Sequence, residues 1–198
     1  MKALNKITLP AAAFAAAACF SLPGLAAPEE YQLDPAHAYV LFKVEHAGYS
    51  HTIGRFNDVD GSFVFDEEAP SISDLEVTIQ SESVDTNHEK RDEHLRSADF
   101  LDVETYPEIT FAMTGSEQTG EKTGTITGDL TILDTTREVT LDVTWNKSAT
   151  SPFGDNYITG ASATTTINRS EFGMEYGVES GAVGDEVDIE IEIEAIRQ

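Results

Sequence analysis

The stretch EVDIEIEIEAIR, Glu186 to Arg197, admits few conformations. Val187, Ile189, Ile191 and Ile193 alternate with Asp188, Glu190, Glu192 and Glu194. On an extended chain, successive side chains point to opposite faces with a period of two. As a strand, the segment buries one aliphatic row and exposes one carboxylate row. As a helix, it would scatter both rows around the axis and bury charge. It is therefore read as a strand with one face toward a core and one toward water.

The same alternation recurs along the chain. Val40, Phe42 and Val44 mark a first strand, Val59, Phe63 and Phe65 a second, and Leu75, Val77 and Ile79 a third. Ile109, Phe111 and Met113 mark a fourth, and Ile126, Leu130 and Ile132 a fifth. Val139, Leu141, Val143 and Trp145 mark a sixth. A seventh, around Tyr157 to Ile167, carries the small residues Gly160, Ala161 and Ala163. Turn signals separate them at Asp66–Pro70, Gly115–Gly120, Asp134–Thr136 and Ser151–Gly154. Eight antiparallel strands with mostly short turns must hide their edges, and closing into a barrel does so. A two-sheet sandwich is the alternative.

Two connections are long, Asp85 to Pro107 and Asn168 to Asp185. Long loops in a compact domain tend to be lids or binding elements. In the first, Thr86 to Glu89 fits a capping box and predicts a short helix over roughly His88 to Ala98. So polar a helix needs Leu95, Phe100 and Leu101 to pin it to the barrel.

The first 26 residues read as a secretion signal. Lys2 and Lys6 precede an alanine-rich apolar core, and Gly24-Leu25-Ala26 supplies a cleavage site. Residues 27–198 form the domain. Cys19, the single cysteine, lies in the signal. Lipidation there is the less favoured reading, because Ala16 stands where leucine is preferred. Disulfide and thiolate chemistry then have no place in the domain. The chain has 36 acids against 12 lysines and arginines, a formal net charge of −24. Such a surface repels nucleic acid and anionic lipid headgroups.

Catalytic signals are absent. There is no GxSxG elbow, no HExxH, no phosphate-binding GxxxxGK[ST] and no GxGxxG at a strand-to-helix turn. His37, His46, His51, His88 and His94 show no helical metal-site spacing, and a meeting of the first three with carboxylates is invisible in sequence. His46 shares parity with Val44 and is expected to face inward at a strand end. Lys90, Arg91 and Arg96 make a basic island in an acidic chain. The island is read either as an anchor for a polar ligand head or as local pairing with Glu89, Asp92 and Glu93. Arg55 and Arg169 are further candidates.

Four segments carry a resemblance: YQLDPAHAYVLFKVEHAGYSHTIGRF, SVDTNHEKRDEHLRSADFLDVETYPEITF, GDLTILDTTREVTLDV and INRSEFGM. In order and across residues 27–198, they resemble the YceI-like family of secreted, lipocalin-like proteins. The second segment is the most specific. One departure falls at Leu133-Asp134-Thr135-Thr136, where the family commonly has a glycine-containing turn. The resemblance implies an extended eight-stranded antiparallel lipocalin-like barrel with a short helix in a long loop. It also implies a long apolar ligand, such as a polyisoprenoid or its phosphate, an isoprenoid quinone or a fatty amide.

On such a barrel, Phe42, Val44, Phe63, Phe65, Phe111, Met113, Leu141, Trp145 and Ile191 are the expected lining. His46, Arg91 and Arg96 are the expected contacts for a polar head. No catalytic residue, metal site or cofactor is expected beyond a bound isoprenoid-type lipid. A periplasmic location follows, with no nucleic-acid partner, a monomeric or homodimeric state, and a membrane cytochrome or other envelope protein as the suggested partner. Two alternatives stand beside a carrier. One is an envelope lipid-modifying enzyme with a His/Asp metal site; the other is a protein-interaction module with a filled barrel.

Overall fold

The computed structural model describes residues 28–198, so the signal segment and Cys19 lie outside the described residues. The strands are β1 (Glu29–His46), β2 (Ser50–Phe56), β3 (Val59–Asp66), β4 (Ser71–Gln80), β5 (Val84–Asp85), β6 (Glu108–Gln118), β7 (Thr123–Ile132), β8 (Thr135–Thr150), β9 (Tyr157–Asn168) and β10 (Val183–Arg197); the helix is α1 (Glu89–Arg96). The order β10-β9-β8-β7-β6-β4-β3-β1 closes by pairing of β1 with β10 into an eight-stranded antiparallel barrel. This is the fold class expected from the alternation. β2 runs beside the second half of β1 and carries the two-residue β5 on its other side.

β1 starts at Glu29, well before the Val40 strand read from the sequence. The reason is a large bulge. Leu33 pairs with Ala195 and Ala38 with Ile193, so residues 34–37 face Glu194 alone. The bulge inverts the parity of the strand. Tyr31 and Leu33 are buried on one side of it, and Ala38 and Val40 on the other.

One end of the barrel is plugged by Val84, Leu101, Ile109, Ile132, Ile167, Phe172 and Met174, with Phe42, Leu95 and Leu133 packed against them. The two long connections supply much of this plug. The α1 cap is His88, whose Nδ1 accepts from the Arg91 amide, so the expected Thr86–Glu89 capping box does not form. Thr86 is instead buried and latched to Asp92, the one buried residue of α1. In the second connection, Arg169 is 4% exposed and donates to the carbonyls of Met174, Tyr176, Val183 and Gly184 at 2.7–3.0 Å. Each nitrogen of the guanidinium fork finds a backbone carbonyl, in the loop or at the start of β10, which fixes the loop against the barrel end. The two connections meet where His94, Phe100 and Tyr176 pack ring to ring, with centroids 4.9–5.2 Å apart.

The turn between β7 and β8 holds Leu133 at φ 55°. This left-handed conformation favours glycine. It falls where the sequence departs from the expected glycine-containing turn, and the leucine side chain packs on the plug.

Candidate functional site

A cavity of about 290 Å³ runs along the barrel axis. Its floor lies near Phe56, Ile79, Ile109 and Ile132, against the plug. Its mouth lies at the opposite end, beside the β3–β4 and β6–β7 turns, where Pro70, Ser71, Gln118, Glu121, Lys122 and Thr123 line it. The wall between is aliphatic and aromatic. Alternation produces this wall, since every barrel strand presents its apolar row inward. Room remains inside because several inward positions are small. On β9 the wall is made by Ala161, Ala163 and Thr165. Two strands away, on β7, Gly128 lies directly under the Phe111 ring, and a Cβ there would collide with the ring and with the Ala112 carbonyl. The missing side chain lets Phe111 lie down against the wall.

Six of the nine expected lining residues stand on the cavity wall: Phe63, Phe65, Phe111, Leu141, Trp145 and Ile191. Phe42 does not. It lies beyond the floor, 5.7 Å from the Phe56 ring and packed into the plug. Val44 is half-buried opposite Val187, further toward the closed end. Met113 precedes a register shift against β7 and packs on the core without reaching the cavity. Many wall residues were not singled out as lining, among them Leu33, Val40, Val59, Leu75, Val77, Ile126, Leu130, Val139, Val143, Ile189 and Ile193. Inward parity was the available signal for all of them but Leu33, which precedes the bulge.

The three expected head contacts do not stand on the cavity wall. His46 is exposed at the closed end of β1, outside the cavity. The Arg91 guanidinium donates to the Thr86 hydroxyl and carbonyl, and Arg96 donates to the Glu82 and Val84 carbonyls. Both arginines thus tie α1 to the chain before it, and neither is at the mouth. Nor do His37, His46 and His51 gather. His37 sits beside Asp34 and Glu194, at the bulge.

The mouth carries its own polar groups. The Lys122 ammonium lies 5.4 Å from the centroid of the Trp145 ring and donates to the Asn146 carbonyl. Trp145 also meets Phe65 edge to face and donates to Ser148. Nearby, Tyr31 and Tyr157 donate to the two oxygens of Glu67, at 2.8 and 2.9 Å, and Arg197 covers the Tyr157 ring. Burial and donation to a carboxylate push the Tyr31 phenol well above the ordinary tyrosine range. Among the described residues, the ionisable side chains on the cavity wall are Glu117, Glu121 and Lys122, all at the mouth. Among the described residues, the wall below the mouth carries no acid or base, and its hydroxyl residues are threonines and Ser162.

Relatives and solved structures place this geometry in a wider set. A UPF0312 protein of Pseudomonas putida strain W619 is 40% identical over 154 residues, which cover 77% of this chain and 80% of that protein. A UPF0312 protein of Pectobacterium carotovorum is 40% identical over 150 residues, 76% of this chain and 77% of its own. Among solved structures, a Campylobacter jejuni YCEI protein superposes with TM-score 0.71 at 30% identity, covering 78% of this chain and 90% of its own. A polyisoprenoid binding domain from Saccharophagus degradans shares the fold, with TM-score 0.61 at 14% identity over 85% of this chain and 98% of its own. The YceI-like domain matches residues 31–195, and with these relatives it establishes that the chain belongs to the YceI-like family.

Proposed function

We propose that the protein is a carrier that holds a long apolar lipid of the isoprenoid type inside its barrel. The observation behind this reading is the axial cavity, apolar along its length and open at one end. Burying hydrocarbon is worth about 0.8 kcal/mol per methylene. A tail of roughly a dozen carbons would offset much of the cost of association, about 4–15 kcal/mol. A tube of this kind reads width and length more than identity, so a linear or prenyl chain fits its chemistry. The Saccharophagus degradans neighbour, described as polyisoprenoid binding, supports the same ligand class. The polar mouth suits a head group left at the rim with the tail inside.

The apparent secretion signal supports a periplasmic setting. A non-enzymatic role is favoured by the cavity wall, which carries ionisable groups only at its rim. An interaction module with a filled barrel fits less well, because the axis is hollow.

The test is native mass spectrometry of protein expressed with its own signal in a periplasm, followed by organic extraction and mass analysis. A stoichiometric apolar adduct supports the carrier reading. Protein of clean mass that also takes up no added prenol or quinone overturns it.

A further inference from the structure

We propose that Asp34, His37 and Glu194 form a divalent transition-metal site on the outside of the barrel, at the seam where the first strand closes on the last. One donor atom from each residue lies within 4.8 Å of the other two. The spacing derives from the backbone. Residues 34–37 bulge from β1 opposite Glu194 alone, so the bulge folds Asp34 and His37 over one residue of β10. Bulges re-aim side chains in this way. The bulge is itself held in shape. Asp34 accepts from the Ala36 amide at 3.0 Å, and Tyr39 donates to the Ala36 carbonyl. His37 Nδ1 is 2.7 Å from the Asp34 carboxylate. The β9 partner of Glu194 is Gly160, whose missing side chain leaves only the Ile193 and Lys147 carbonyls within 4.0 Å of where its Cβ would lie. No side chain of Gly160 covers Glu194, and the His37 ring is exposed, so an ion can approach the three donors from solvent.

The donor set indicates the metal class. One imidazole and two carboxylates suit zinc or copper(II) better than calcium, which takes six or more oxygens. Metal–donor bonds of about 2.0–2.2 Å would set tetrahedral donors about 3.4 Å apart, so the ion would replace the 2.7 Å hydrogen bond between His37 and Asp34. Small rotations of these exposed or half-buried side chains bring the donors to that spacing. The surrounding negative charge favours any cation. The site faces away from the cavity, because Glu194 lies between Ile193, on the cavity wall, and the buried Ala195. Its role would be to staple β1 to β10. This inference is independent of what occupies the barrel.

The test is a zinc chloride titration of the purified protein by calorimetry, paired with thermal unfolding with and without zinc. The expected result is one stoichiometric site and a rise in Tm on adding zinc. His37→Ala is expected to lower zinc affinity by at least about tenfold, since even outer partners of metal ligands are worth that much, and to abolish the Tm rise. Glu194→Gln weakens the site, and His51→Ala, at the closed end, leaves it intact. Circular dichroism establishes that each variant folds. No stoichiometric zinc, a site that survives His37→Ala, or calcium bound equally well with His37 irrelevant would each overturn the proposal.

Discussion

Tyr31, on the first strand, donates its phenolic hydrogen to Glu67 across 2.8 Å, fastening the β3–β4 turn at the cavity mouth. The phenol is 1% exposed and faces a carboxylate, so the neutral form is the one the fold prefers. Its folded pKa therefore lies above the unfolded value of about 10. The stabilisation is fully present below about pH 10 and is lost as pH rises through the folded value. Tyr31→Phe is expected to cost about 1–3 kcal/mol at neutral pH, and to decline less than wild type from about pH 9 to about pH 11. Urea unfolding across that range is the check, and an equally steep decline in the variant would remove Tyr31 as the cause.

The inner face of β9 tests whether the hollow axis is where ligand is held. Ala161 and Ala163 are on the wall. Ala161→Phe should fill the tube without unfolding it, since the ring enters space and not packed core. Retained lipid, read by native mass spectrometry, is expected to fall at least about tenfold, which corresponds to about 1.4 kcal/mol. Phe111→Asp should abolish retention by placing a charge on an apolar wall. Full retention in either folded variant would mean that the ligand sits elsewhere.

Arg169 anchors the second long connection. Replacing it with methionine strands four carbonyls at the closed end. The expected loss is about 3–5 kcal/mol in denaturant unfolding. Arg169→Lys should recover only part of it, because an ammonium cannot reproduce the fork.

Arg96 makes a contrasting case. Its guanidinium holds the Glu82 and Val84 carbonyls. Arg96→Ala is expected to lower stability by about 1–3 kcal/mol, with lipid retention unchanged. A variant of normal stability that loses its lipid would restore Arg96 as a head-group contact.

Period-two alternation was enough to read eight strands and a closed barrel, because each strand has one wet face. It failed where the period breaks. The bulge at Asp34–His37 inverts the parity of β1 and hid its first half, and the inner row of β2 is Thr52, Gly54 and Phe56, with a single large apolar residue, while Ile53 is exposed. Parity also placed Phe111 and Ile191 on the inner face, yet it could not assign depth. Phe42 has the same parity as Val40 but lies past the floor. The charged island was visible as charge. That Arg91 and Arg96 serve backbone carbonyls was not, since those partners are set by tertiary folding. The Asp34–His37–Glu194 group joins the two ends of the domain, so no local spacing could announce it.

The plug at one end of the barrel makes the tube a cul-de-sac. Any chain-like occupant must reverse out through the door it entered, the first carbon in being the last to leave. Departure then becomes a matter of stroke length. Each further methylene drawn past the rim, at about 0.8 kcal/mol, multiplies the dwell time by about four. Such a tube would work as a molecular clock graded by tail length, and unloading it would call for an acceptor able to grip the tail as it emerges.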